Sequence, residues 1–121
     1  MSAEPVTDGA RSRGGVVVAV RPGDSRPGDA GADAADGLTA VVVTNMGEAR
    51  NVVVVWSGDA VIVVGGSWGT LSELALAMRR GGVPVVSLGG WRVLDADGAE
   101  VPGVLHVSSP EEAVRLACPA S

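Results

Sequence analysis

Apolar residues along this chain come mostly in short runs, with little alternation. Val16 to Val20, Leu38 to Val43, Ala60 to Val64, Val83 to Leu88 and Val104 to Val107 are the clearest. Runs this short, with no polar face, read as strands covered on both sides, which is the habit of parallel sheets. Between two of them the period changes. From Thr70 to Arg80 the residues Leu71, Leu74, Ala75 and Met78 recur at helical spacing, Arg79 and Arg80 suit the negative end of the helix dipole, and Gly81-Gly82 follows. Ser109-Pro110-Glu111-Glu112 opens a last helix with a cap, a first-turn proline and first-turn carboxylates. Strands interleaved with helices in this order predict the α/β class, a Rossmann-like parallel sheet with flanking helices.

Other stretches are less decided. Val52 to Val55 favour a strand by side-chain shape, whereas Asn45 suits the cap of a helix beginning at Met46-Gly47-Glu48. A strand there would form a hairpin with Ala60 to Val64 across Ser57-Gly58-Asp59; a helix there would complete a parallel strand-helix-strand unit. Arg21 to Gly37 holds two prolines, four glycines and four aspartates with no large apolar side chain, so it reads as a mobile loop. The polar residues 1–14 are expected to be a poorly ordered start. Gly89-Gly90-Trp91 turns the chain away from its strand, and Asp95 to Pro102 reads as a polar loop.

Length and composition then limit the classes. A chain of 121 residues is one domain at most, spanning 1–121. Its apolar content of 46% includes no Phe or Tyr, so the core is aliphatic, with Trp56, Trp68 and Trp91 the only large rings. The net charge of -5, with every cation an arginine and no basic patch, argues against nucleic acid. Met1 to Gly15 lacks a signal-peptide core and no segment is long enough to cross a bilayer, so a soluble cytoplasmic protein is expected. Cys118 and His106 each stand alone, which leaves no disulfide framework and no metal site within the chain.

The candidate chemistry lies at Gly65-Gly66-Ser67-Trp68-Gly69-Thr70, the strand-to-helix turn after Val64. Such a turn offers unpaired backbone amides and the positive end of a helix dipole to an anion, and glycines let a phosphate approach the backbone. Thr70 could add its hydroxyl. With 18 glycines in the chain, however, spacing alone leaves a plain tight turn and a phosphate site equally open. Thr70-Leu71-Ser72-Glu73 also fits a capping box, which would make Thr70 and Glu73 helix stabilisers worth about 1 kcal/mol. Arg50, taken alone, reads as a solvated side chain.

The stretch Gly65 to Glu73 resembles the P-G-G-x-G-T-x-x-E motif of the Lonely-guy (LOG) phosphoribohydrolases, long labelled lysine-decarboxylase-like. Gly66, Gly69, Thr70 and Glu73 match it in register. Met46 to Asn51 resembles the arginine segment upstream of that motif, and Gly14-Gly15 through Pro22-Gly23 the preceding strand and loop. The nearest resemblance is to the branch containing molybdenum-cofactor-carrier-like proteins and others named only for nucleotide binding. It implies that Met46 to Trp56 is largely helix, that Gly65, Gly66, Ser67, Trp68, Gly69 and Thr70 hold a phosphate, and that Arg50 and Glu73 act at the glycosidic bond of a nucleoside 5'-monophosphate. The implied ligand is a nucleotide or a molybdopterin-type cofactor, and the implied assembly a homodimer.

Departures from the motif are Gly65 in place of its proline, Ser67 in place of its second glycine, and Asn51 where the cytokinin-activating enzymes carry lysine. The resemblance also implies that the first two strands and an earlier glycine-rich segment are missing. In a doubly wound sheet those strands lie between Val16 to Val20 and Leu38 to Val43, so the first strand is expected to pair elsewhere, to have the gap filled by another chain, or to expose an apolar edge that aggregates. Three functions follow: a nucleotide-binding phosphoribohydrolase, a non-catalytic carrier or sensor of a phosphorylated cofactor such as a pterin, or a remnant without a ligand.

Overall fold

The computed structural model describes residues 4–21, 23 and 37–118. They form an α/β protein of parallel strands and helices, Rossmann-like in class, and the chain divides into two compact units, residues 2–53 and 54–121.

The first unit opens with helix α1, Glu4–Ser12, where the polar composition predicts a poorly ordered start. Two side chains anchor it. Thr7 is buried, and Arg11, in the last turn, donates from Nη1 to the Gly15 carbonyl at 3.3 Å and to Thr39 Oγ1 at 3.2 Å. A helix held by a threonine and a guanidinium leaves no apolar stripe in the sequence, which is why composition misses it.

Strand β1, Val18–Arg21, then pairs in parallel with β2, Ala40–Val43, in the register Val18 to Ala40 through Arg21 to Val43. Of the outcomes expected for the first strand, pairing elsewhere is the one observed, with β2 lying directly beside it. Of the loop predicted over 21–37, only Arg21, Gly23 and Gly37 lie within the described residues.

After β2, Thr44 donates from Oγ1 to the Arg21 carbonyl at 2.6 Å, and Asn45 takes the left-handed conformation with φ 52°. Asn45 is thus a turn residue, and the cap position belongs to Met46, which makes no side-chain cap bond. A 3-10 turn, Gly47–Ala49, leads into helix α2, Arg50–Ser57. Residues 47–57 are helical despite their β-branched run, as the resemblance implies, so the hairpin alternative is excluded.

The second unit carries the principal sheet. Strands β3, Val61–Val64, β4, Val85–Leu88, and β5, Val104–Val107, lie in the order β3-β4-β5, all parallel. Helix α3, Trp68–Arg80, joins the first two and ends where the Gly81 amide donates to the Ala77 carbonyl. Pro84 fits just before β4 because only its carbonyl is used, accepting from the Val61 amide at 2.9 Å. Helix α4, Pro110–Ala117, closes the unit, with Ser109 Oγ accepting from the Glu112 amide at 3.2 Å.

Strand β4 is central, and its residues Val85, Val86 and Ser87 are all buried. Val85 joins Val63, Leu74, Ala77 and Val55 in one apolar cluster, while Val86 joins Ala113 and Ala117 in another. Successive side chains of a strand point to opposite faces, so α3 and α4 cover the two sides of the sheet.

The link from β4 to β5 is not the plain polar loop predicted for Asp95 to Pro102. It is a small antiparallel excursion, with a bridge between Leu94 and Glu100, a Val101 amide bond to the Val93 carbonyl, and a tip folded by the Asp95 carboxylate, which accepts from the Asp97 and Ala99 amides. Among the described residues no helix is long and apolar enough to cross a membrane.

Candidate functional site

The glycine turn sits at the carboxyl end of β3. Gly65 extends the ladder by donating to the Leu88 carbonyl at 3.1 Å and has φ 89°, a conformation that favours glycine. The helix then begins earlier than a capping box at Thr70 requires. Ser67 is the N-cap, with extended backbone, and its Oγ accepts from the Thr70 amide at 3.0 Å and lies 2.8 Å from Thr70 Oγ1. The expected box is corrected accordingly: Thr70 is the third helical residue, and Glu73 lies nearly a turn too far along to reach back to the cap. The sequence points to a later start because helical apolar spacing becomes visible only at Leu71, whereas Trp68 and Gly69 are weak helix formers. Trp68 and Gly69 supply the amides that a helix start leaves without intrahelical partners.

A second glycine pair stands beside the first. The register aligns Val64 with Leu88, so Gly65-Gly66 and Gly89-Gly90 emerge from adjacent parallel strands at one edge. They pack so closely that a Cβ on Gly90 would fall 2.4 Å from the Gly65 carbonyl oxygen. Trp91 ties the two loops together, its Nε1 donating to the Ser67 carbonyl at 2.8 Å while its ring meets that of Trp68 with centroids 4.9 Å apart. Gly66, Gly89, Gly90, Trp91 and Arg92 line an open pocket at this edge. Arg92 is held by Glu100 at 2.7 Å. The sequence by itself predicts only a turn at Gly89-Gly90-Trp91; the signal it carries for more is the repetition of an apolar run, a glycine pair and a tryptophan in consecutive strands.

Of the proposed catalytic residues, Glu73 is half-buried on α3 in the second unit and Arg50 is the first residue of α2 in the first. Arg50 donates from Nη1 to the Val20 carbonyl at 3.4 Å, and its buried Nε–H meets no acceptor among the described residues. A buried unmet donor is costly, so Arg50 is more than a solvated side chain. Among the described residues no three His, Cys, Asp or Glu side chains gather as a metal centre requires.

Comparison with known proteins gives two results. The model of the SLOG cluster4 family matches residues 3–114 of the chain. An uncharacterized protein of Archaeoglobus fulgidus is 40% identical over 117 residues, which cover 93% of this chain and 65% of that protein, so the chain spans a little under two thirds of that relative's length. No solved structure matches.

Proposed function

The chain belongs to the SLOG cluster4 family, and from that premise we propose that it binds a nucleotide or a phosphorylated cofactor on the turn Gly65 to Thr70. One observation carries the reading. Glycine at 65 and at 90 serves the fold, through a left-handed φ and a close backbone contact, but glycine at 66 and 69 does not: a Cβ on Gly66 would meet nothing within 4 Å, and one on Gly69 only Ser67 Oγ at 3.7 Å. Bare backbone at those two positions suits a phosphate that must approach the amides at the start of α3.

The finer assignment within this reading is a phosphoribohydrolase acting on nucleoside 5'-monophosphates. Water would add to C1' as the C1'–N bond breaks, giving ribose 5-phosphate and the free base, which leaves with a proton. Glu73 is the residue proposed to stabilise the oxocarbenium-like state or to take the proton from water, with Arg50 neutralising the anionic substrate. Incubation of the protein with nucleoside 5'-monophosphates should release base and ribose 5-phosphate; no release across the common bases defeats the assignment. The Lonely-guy resemblance implies a homodimer, which sedimentation velocity checks.

A second reading, a non-catalytic carrier or sensor, is favoured by Arg50 already committing a guanidinium N–H to the Val20 carbonyl. Glu73→Gln separates the two. Gln keeps the size of the Glu73 side chain and removes its charge, so on the hydrolase reading the variant should stay folded, with unchanged circular dichroism, and lose turnover by about 100-fold or more, the scale of acid–base catalysis. Equal nucleotide affinity in both forms, with turnover in neither, would identify a carrier.

A further inference from the structure

The rim of the phosphate turn is aromatic. Trp68 is the first residue of α3, immediately after the cap, and is 76% exposed. Trp91 is fixed by its polar edge through the bond to the Ser67 carbonyl and leaves its ring to brace Trp68, the two planes inclined at 36°. Trp56 is also exposed, at 59%, but has the Arg80 guanidinium over its ring, 5.3 Å from the centre. An indole left in water at the mouth of a site gives up most of the burial energy that normally justifies so large a side chain, and its π-face offers ring-to-ring stacking.

We propose that Trp68, braced by Trp91, is the stacking surface for a planar heteroaromatic ring whose phosphate lies in the Gly65 to Thr70 turn. The inference rests on the phosphate-binding reading and adds a specificity: the site prefers phosphates that carry a ring over bare sugar phosphates. Because the ring follows the cap residue directly, a ligand anchored on the first amides of α3 has Trp68 as its neighbour. Gly66, Trp91 and Arg92 line the same pocket, with Arg92 steadied by Glu100, so the pocket reaches from the turn to Trp91, whose ring meets that of Trp68. A nucleobase and a pterin share the flat π-face this surface recognises.

The test is calorimetric binding of AMP, GMP, a phosphorylated pterin and ribose 5-phosphate to the full chain and to its Trp68→Ala and Trp68→Phe variants. Stacking of a base on an aromatic side chain is worth five- to a hundredfold in affinity, so the wild type should bind at least one ring-bearing phosphate about tenfold or more tighter than ribose 5-phosphate. Trp68→Ala should bring that ratio to within about threefold and Trp68→Phe should restore most of it. The identity of the best-bound ring then tells nucleobase from pterin. The exposure of Trp68 means that the variants should fold, which unchanged circular dichroism checks. A ratio unaffected by Trp68→Ala, or ribose 5-phosphate binding as tightly as every ring-bearing phosphate, overturns the stacking assignment while leaving the phosphate turn intact. Binding of none of them overturns both.

Discussion

At the scale of single residues the glycines separate into two kinds with opposite mutational signatures. Gly90→Ala would drive a methyl group into the Gly65 carbonyl, and because that oxygen belongs to backbone the strain cannot be relieved by a rotamer change. Its expected cost is about 1–3 kcal/mol of stability, read from denaturant unfolding. Gly69→Ala should do the reverse, since the new methyl has room and replacing a first-turn glycine by alanine reduces the freedom of the unfolded chain, a gain of about 0.4–1 kcal/mol. A Gly69→Ala protein as stable as wild type or more so, yet weaker for nucleotides, would separate the binding role of that residue from any structural one; unchanged affinity would count against phosphate at this turn. The turn itself was legible in the sequence because a glycine-rich strand-to-helix junction is a local signal. Its second wall was not, because Gly89, Gly90 and Trp91 reach Gly65 and Ser67 only through the parallel register of β3 and β4. The cap at Ser67 is hidden in the sequence because the Thr70 hydroxyl satisfies the same local pattern and only the helix start distinguishes them.

At the scale of elements the aliphatic runs revealed all five strands, although the covering on both faces that such runs predict is realised only in β4; β2 is largely exposed and β1, β3 and β5 are covered in part. Helix α2 shows where local propensity yields to tertiary structure. Its valines favour a strand, but Val55 enters the main apolar cluster, and Arg80 of α3 donates from Nη1 to the Val55 and Gly58 carbonyls at 2.6 and 2.7 Å. Those bonds satisfy acceptors at the end of α2, where a helix has none of its own. Arg80→Met keeps the aliphatic stem and removes both bonds, so it should destabilise the protein by about 2 kcal/mol, with faster amide exchange over residues 55–58 as the local marker. An unchanged exchange rate there would mean that packing alone holds the helix. Helix α1 stayed hidden for the opposite reason, because Thr7 and Arg11 do the anchoring that apolar residues do elsewhere.

At the scale of the whole molecule the glycine turn and Glu73 belong to one unit and Arg50 to the other. A nucleotide present at a hundred times its dissociation constant should add about 2.7 kcal/mol to stability and raise the melting temperature. Hydrogen exchange in its presence should slow over residues 65–71 and 89–92 on any binding reading, and around residue 50 as well if Arg50 contacts the substrate. No thermal shift with any nucleotide or pterin phosphate would favour the remnant. The excursion between β4 and β5 has a practical consequence of its own. Its tip at Asp97-Gly98 is exposed and open, yet its base carries Arg92 into the pocket and Val93 against the core. Exposed tips of this kind tolerate inserted sequence, so a peptide epitope or dye-accepting tag grafted there would report on traffic at the pocket mouth without disturbing the strands beneath it.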